Sequence, residues 1–408
     1  MKNGYKKTSL GILPNEWEVV QLEEICEINQ GLQIAISKRY TVNAENRYFY
    51  ITNEFLKETC KTKYYIENPP KSVICCKDDI LMTRTGNTGQ VVTNINGVFH
   101  NNFFKIKYNK KTIDKKYFLY ILSANKMQHK ILTKAGGSTI LDLKHSDFYS
   151  LKIPLPPLNE QRKIAEILNT YDEAILLTSN LISAKKEFKK ALMQNLLTAK
   201  IRFPNFKDRW KEVKLGDIGE FKTSSVDKII NSNEKIVSLI NYMDVYKNTH
   251  ISKKLNLSKT SATEQEINKF YIQKGDILFT PSSETPDDIG HSAVIIDDFD
   301  CALYSYHLIR FRTFNKFDIC FLGYIFNNEK ILKQFTRLSQ GTTRYTLSIK
   351  DFQNIKIKLP NLSEQSKIAE ILSSVDEEIN LLNKKLEQLN LQKRGVMQNL
   401  LSGKVRVK

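Results

Sequence analysis

LPPLNEQRKIAEILNTYDEAI, residues 155–175, is answered by LPNLSEQSKIAEILSSVDEEI, residues 359–379, with fourteen of twenty-one positions identical at an offset of 204 residues. A second match follows at the same offset, MQNLLTAKIRF from Met193 and MQNLLSGKVRV from Met397. Identity on that scale inside one chain means duplication, so two related halves are expected before any local structure is assigned. Each copy opens a long helix. Pro156-Pro157 and Pro360 end the preceding segment, because a proline in a helix interior lacks the N–H and clashes with the turn before it. Asn159 and Ser363 are the expected N-caps, and Glu160 and Glu364 suit the positive end of the helix dipole.

Apolar residues recur through both copies at spacings of three and four. In the first they are Ile164, Leu168, Tyr171, Ile175 and Ile182, interrupted by Thr178. In the second they are Ile368, Leu372, Val375, Ile379, Leu382, Leu386 and Leu389. That period is the seam of a coiled coil. Helices reaching Leu196–Leu197 and Leu400–Leu401 would each run about 57 Å at 1.5 Å per residue. Two of them in one chain pack most simply on each other, antiparallel. The competing reading is a pair of ordinary bundle helices in one core.

Working outward, the halves open on Trp17 and Trp210, each in a Pro-Asn turn, a Trp-anchored strand and a short helix or turn. Both Trp rings are expected in the core. Residues 31–73 and 222–271 do not align. The first stretch carries Arg39, Tyr40, Arg47, Tyr48, Tyr50, Tyr64 and Tyr65, the second Tyr242 and Tyr246. Runs such as RYFYIT and KIVSLINY read as strands. Divergence between retained flanks is what two modules with different targets would show.

The halves realign at KDDILMTRTGNTG from Lys77 and KGDILFTPSSETPDDIG from Lys274, a strand running into a polar loop. In the first loop Thr85, Gly86, Asn87, Thr88 and Gly89 are small enough to let backbone amides approach an anion, and Arg84 supplies a charge for a phosphate or a guanine edge. A plain hairpin turn is the alternative. The second loop lacks arginine and carries Glu284, Asp287 and Asp288. Another polar loop lies further on in each half: Ser138, Thr139 and Lys144 in the first, Thr342, Thr343, Arg344, Tyr345 and Lys350 in the second. With Arg39, Tyr40, Ser224 and Ser225 these make up the expected DNA-facing set.

Charge points the same way. Lys and Arg number 62 against 44 Asp and Glu, a formal +18 spread along 408 residues, which favours a polyanionic partner. Cys26, Cys60, Cys75, Cys76, Cys301 and Cys320 form no Cys-x-x-Cys pair and read as reduced, mostly buried thiols of a cytoplasmic protein. No apolar run is long enough for a membrane span, and the first residues have no signal-peptide character. The six histidines are scattered without ligand spacing, so neither metal nor cofactor is expected. Asn68-Pro69-Pro70 looks like the core of an adenine methyltransferase motif, but Lys71 stands where that motif needs an aromatic, and no glycine-rich cofactor loop precedes it. Pro286-Asp287 lacks the Asp/Glu-x-Lys partner of a nuclease centre. A binding protein is expected rather than an enzyme.

The motif PLPPLNEQRKIAEIL, answered by KLPNLSEQSKIAEIL and each time after a mixed α/β half, resembles the specificity (S) subunit of type I restriction–modification enzymes over essentially the whole chain. The resemblance implies an α+β fold. Two repeated α/β globular target recognition domains would be separated by two long helices packed as an antiparallel coiled coil, with internal pseudo-two-fold symmetry. It implies recognition domains at 1–153 and 204–358 and helical spacers at 154–203 and 359–408. Each domain would read one part of a bipartite, asymmetric site in double-stranded DNA. The helices, through Ile164, Leu168, Tyr171, Ile175, Ile368, Leu372, Val375 and Ile379, would dock two methyltransferase (M) subunits and through them the restriction (R) subunits. The second spacer departs from the motif at Asn361 and at Ser366, which stands where Arg162 does in the first. A free DNA-binding regulator or coiled-coil scaffold would share this architecture but bind no methyltransferase subunit. An enzyme would methylate or cut DNA alone.

Overall fold

The computed structural model describes residues 3–57, 60, 62–136 and 140–407. The chain divides into two compact units, Met1–Thr178 with Lys385–Lys408, and Ser179–Lys384. Each unit therefore contains one globular half, the start of the long helix that follows it, and the end of the other long helix.

In the first unit an antiparallel sheet has the order Cys26–Gln30, Phe103–Tyr108, Ile80–Thr83, Val91–Val92. The helices Lys115–Ser123 and Asn125–Lys134 contribute Tyr117, Phe118 and Ile131 to a core shared with Trp17, Ile80 and Phe104. A second sheet, in the order Tyr65–Glu67, Arg47–Ile51, Gly97–Phe99, Ile74–Cys75, contains one parallel pair, with Ile51 beside Phe99. Glu18–Gln21 pairs with Lys152–Leu155, which ties the opening of the unit to the strand that feeds the long helix.

The second unit follows the same plan. Its larger sheet runs Gly219–Thr223, Ile309–Thr313, Ile277–Phe279, Ser292–Ile295, His250–Ile251. A smaller sheet runs Ser258–Ala262, Lys235–Ile240, Ala302–Tyr304, with the last two strands parallel. Lys211–Lys214 pairs with Lys356–Leu359. The stretches whose sequences do not align thus each contribute one strand to the same kind of parallel pair. Pairing is carried by backbone groups, and many alternating side chains satisfy it.

The long helices are Leu158–Leu196 and Leu362–Leu401. Both begin earlier than expected. Gln161 N–H bonds the Pro157 carbonyl and Gln365 N–H the Asn361 carbonyl, each at 3.0 Å, so Pro157 and Asn361 cap the helices rather than Asn159 and Ser363. Proline is tolerated there because its fixed φ suits helix entry and its missing N–H has no partner at a helix start. Asn361 adds a side-chain cap, its Oδ1 accepting from Glu364 N at 2.9 Å.

The Glu-Gln pair of the repeated motif is a clasp. Glu160 is buried and accepts from Trp17 Nε1 at 2.9 Å and from Arg406 Nε at 2.7 Å. Gln161 donates to the Pro156 and Thr112 carbonyls and accepts from Asp114 N at 2.9 Å, which pins the helix start to the residue capping Lys115–Ser123. In the second unit Glu364 accepts from Trp210 Nε1 at 3.1 Å and Arg202 Nε at 2.9 Å, while Gln365 binds the Pro360 carbonyl and Asp318 N. Trp17 is fully buried as expected; Trp210 is only partly so.

Within each unit the two helices run antiparallel. In the first, Ile164 and Leu168 share a core with Leu400 and Leu401, and Lys393 Nζ meets Asp172 at 2.5 Å. In the second, Ile368 and Leu372 share a core with Leu196 and Leu197, and Lys185 and Lys189 pair with Glu378 and Asp376 at 2.8 and 2.6 Å. Residue numbers rise along one helix as they fall along the other, the coiled-coil arrangement. Thr178, which interrupts the seam, turns its hydroxyl onto the Ala174 carbonyl at 2.7 Å. Of the cysteines, Cys26 and Cys75 are buried, which pushes their thiols up to about 12 and about 11, while Cys76 is exposed; fewer are buried than expected. Among the described residues no helix is long and apolar enough to cross a membrane, and no cluster of His, Cys, Asp or Glu is placed to hold a metal ion.

Candidate nucleic-acid interface

In each unit the two polar loops, far apart in sequence, are joined. In the first, Thr85 bridges Asp142, Leu143 N–H bonds the Arg84 carbonyl at 2.9 Å, and Gly86 N–H reaches the Leu141 carbonyl at 3.3 Å. In the second, Ser282–Ser283 pairs with Tyr345–Thr346, and Leu347 N–H bonds the Pro281 carbonyl at 2.8 Å.

The bases of the first loops are also alike. Gly89 N–H returns to the Thr83 carbonyl at 2.8 Å, and Gly290 N–H to the Thr280 carbonyl at 3.0 Å. Both glycines have positive φ, +89° and +80°, and a Cβ on Gly290 would lie 2.4 Å from the Phe335 ring, so side chains are excluded there. Between these anchors the second loop is four residues longer, and the extra length carries its acidic residues.

Arg84 spends its guanidinium inside the first unit. Nε and Nη2 donate to Asp142 at 3.0 and 2.7 Å, and Nη1 donates to Gln30 Oε1 at 3.2 Å. Arg84 holds the Asp142 carboxyl below the usual carboxylate range. Burial, with Arg84 nearby, keeps the His145 imidazole below its ordinary value, and its Nε2 lies 2.7 Å from Gln30 Oε1. Thr88 is buried and donates to the Arg84 and Leu141 carbonyls, so its hydroxyl holds the loop rather than facing out. Thr85 Oγ1 donates to Asp142, whereas Asn87 and Lys144 are exposed. Ser138 and Thr139 lie outside the described residues.

Arg39 and Tyr40 have other surroundings. The Arg39 guanidinium donates to the Ile34 carbonyl and lies over Tyr50 at 5.0 Å and Tyr64 at 5.5 Å. Tyr40 lies under Arg47 and donates to Glu67 at 3.3 Å. In the second unit Thr342, Thr343, Arg344 and Lys350 are exposed, and Arg344 Nη2 donates to Ser282 Oγ at 3.2 Å. Tyr345 is held in its strand. Ser224 Oγ accepts from Val226 N, and Ser225 donates to Glu266.

Sequence reasoning passed over three groups at these loops. Gln30 and Asp142 complete the Arg84 network, and Asn53 donates to the Thr85 carbonyl. In the second unit Asp288 accepts from Tyr246 OH at 3.0 Å and lies 2.9 Å from His291 Nε2. Only the loops, not these partners, carried a local signal of small and hydroxyl residues. The helix residues expected to dock a partner face inward: Ile164, Leu168, Ile368 and Leu372 are fully buried, Val375 and Ile379 nearly so, and Tyr171 and Ile175 partly.

Two α+β units on one plan, each presenting a joined pair of polar loops and each clasped to long antiparallel helices, define a two-module recognition protein. The pattern described as the type I restriction modification DNA specificity domain matches residues 14–185 and again 207–391, and the chain belongs to that family, the specificity subunits of type I restriction–modification enzymes. It is a DNA-recognition subunit with two recognition domains, not an enzyme in its own right. The chain is similar to the type I restriction enzyme MjaVIII specificity subunit of Methanocaldococcus jannaschii, 28% identical over 414 residues, covering 97% of this chain and 94% of that one. Solved structures share its fold, two among them at high coverage of both chains. One is the S subunit of a type I restriction–modification system from M. genitalium (TM-score 0.56, 18% identity, 94% of this chain and 96% of that one). The other comes from work on complex assembly and conformational transition of the type I R-M system (TM-score 0.62, 16% identity, 96% and 99%).

Proposed function

We propose that this subunit selects a bipartite, asymmetric site in double-stranded DNA, one half-site per recognition domain, for a type I complex that methylates it. The recognition domains are residues 1–153 and 204–358, and the spacers residues 154–203 and 359–408. The observation that carries the reading is the joined loop pair, built at the same point of both units from unlike residues: Arg84, Asn87 and Lys144 in one, Asp287, Asp288 and Arg344 in the other. Same place and different chemistry is what two different half-sites require. Lysines and arginines over the surface neutralise phosphates and set affinity, while the loops set sequence choice.

The long helices separate the half-sites and dock two methyltransferase subunits, and through them the restriction subunits. Since the seam residues are interior, docking falls to residues facing outward. Leu177 and Leu381 occupy the same position of the two helices and are 67% and 58% exposed, one in each unit, which suits two copies of one partner. Co-expression with a methyltransferase subunit, followed by methylation mapping by long-read sequencing, tests the reading. One bipartite, asymmetric motif that disappears without this chain is expected. No motif, together with no complex holding two methyltransferase copies, would overturn it in favour of a free DNA binder.

A further inference from the structure

Two chemically different side chains make the same hydrogen bond at the same point of the two units. In the first unit the parallel strands end with His100 N–H bonded to the Ile51 carbonyl at 2.9 Å; in the second, Ser305 N–H bonds the Ile240 carbonyl at 3.0 Å. These bonds set a common register and place Asn53 and Tyr242 equivalently, each two residues past its strand end. Asn53 Nδ2 donates to the Thr85 carbonyl at 2.7 Å. Tyr242 OH donates to the Ser282 carbonyl at 3.1 Å. Thr85 and Ser282 are themselves equivalent, and each is the residue through which its loop bridges the second loop, opposite Asp142 and Thr346.

The two donors lie in the stretches of the halves that do not align. The bond is thus present in both units although its donor is an amide in one and a phenol in the other. A backbone carbonyl on a polar loop could be satisfied by water, so two independent side-chain solutions point to a need for position rather than for satisfaction. The fit around each donor is close. In the first unit Gly86, at φ +86°, lies beneath Asn53, and a Cβ there would come within 2.7 Å of Nδ2. In the second, the Tyr242 ring stacks on Tyr246 at 6.0 Å and 18°, and Tyr246 in turn binds Asp288 of the same loop.

We infer that Asn53 and Tyr242 are positioning residues for DNA reading: each holds its loop pair in place and so controls how strictly its own half-site is read. The inference rests on the proposed function. Neither side chain needs to touch DNA, because a loop held within a fraction of an ångström is what lets its other groups reject a wrong base.

The test uses the full chain in complex with its methyltransferase subunits. Tyr242→Phe removes one hydroxyl and keeps the stacked ring; Asn53→Leu removes the donor at nearly constant volume. The readout is the ratio of methylation at cognate sites to that at sites with one mismatch, scored separately for each half-site, with the thermal midpoint recorded for each variant. Each variant should lower discrimination by roughly 3- to 10-fold, the worth of one hydrogen bond, at one half-site only, and the two variants at opposite half-sites. The salt dependence of binding should not change, since no phosphate contact is lost. A variant that melts like the parent and discriminates like the parent at both half-sites overturns the inference, and so does equal loosening at both, which marks a general loss of structure. A parent complex that methylates no defined motif is a different result: it removes the proposed function, and the inference with it.

Discussion

Arg406 grips Glu160 through two parallel hydrogen bonds, Nε to Oε1 at 2.7 Å and Nη2 to Oε2 at 2.8 Å, across 246 residues of sequence. The bidentate geometry raises the guanidinium pKa further above its ordinary value, with Glu160 first and Glu16 second among the causes. Glu160 is 6% exposed. Without Arg406 its carboxylate keeps, among the described residues, only the Trp17 indole as a hydrogen-bond partner.

Arg406→Ala should therefore destabilise the first unit by about 2 kcal/mol, less than for a fully buried pair because the guanidinium is partly solvated. Arg406→Lys, which keeps the charge but loses the fork, should fall between. Chemical denaturation of the full chain reads both. Arg202→Ala should act in the same direction on the second unit, and an unchanged midpoint for either alanine variant would show the clasp to be dispensable.

Arg84 and Asp142 act as one group, so their alanine variants should resemble each other. Both should weaken DNA binding by the complex modestly and leave the slope of affinity against salt unchanged, because a loop brace is lost and not a phosphate contact. If Arg84→Ala alone flattens the slope, the guanidinium leaves Asp142 to meet a phosphate when DNA binds.

His250 should make the second unit acid-sensitive. Its Nε2–H donates to the Cys320 carbonyl at 3.0 Å, its ring meets Tyr324 edge-on at 4.7 Å, and burial keeps its pKa below the ordinary 6.5. Asp376 and Asp318 favour its protonation and Lys189 opposes it, but burial dominates. The unfolded chain then binds the extra proton first, so stability rises with pH across this window. It should be fully present above about pH 6.5 and decline as the pH falls from there toward the lowered folded value. His250→Gln, which retains a donor for Cys320, should flatten that decline in a pH series of denaturation midpoints.

On the proposed docking of one methyltransferase subunit at each of these leucines, Leu177→Glu and Leu381→Glu should each cost one bound copy, and the double variant should bind none. Native mass spectrometry counts them. DNA binding by the free chain should not change, since both residues belong to the long helices and not to the joined loops. Two copies retained in the double variant would place docking elsewhere on the helices.

Duplication at an offset of 204 residues and an apolar period near 3.5 are local and repetitive signals, so the sequence alone determined the two halves, the long helices and their antiparallel seam. The polar loops were legible for the same reason, as runs of small and hydroxyl residues between strands. Tertiary structure decided what those residues do. Glu160 read as a first-turn carboxylate suiting the helix dipole, and with Gln161 it forms a clasp, because their partners Trp17, Asp114 and Arg406 are brought in from distant parts of the chain. Arg84 and Thr88 read as free to meet DNA and are bonded within their own unit, while Asn53, which carried no local signal, holds the loop. Period and propensity act over a few neighbouring residues. Which donor finds which acceptor far along the chain is settled only when packing brings them together, and that pairing leaves some loop atoms free for a ligand and commits the rest.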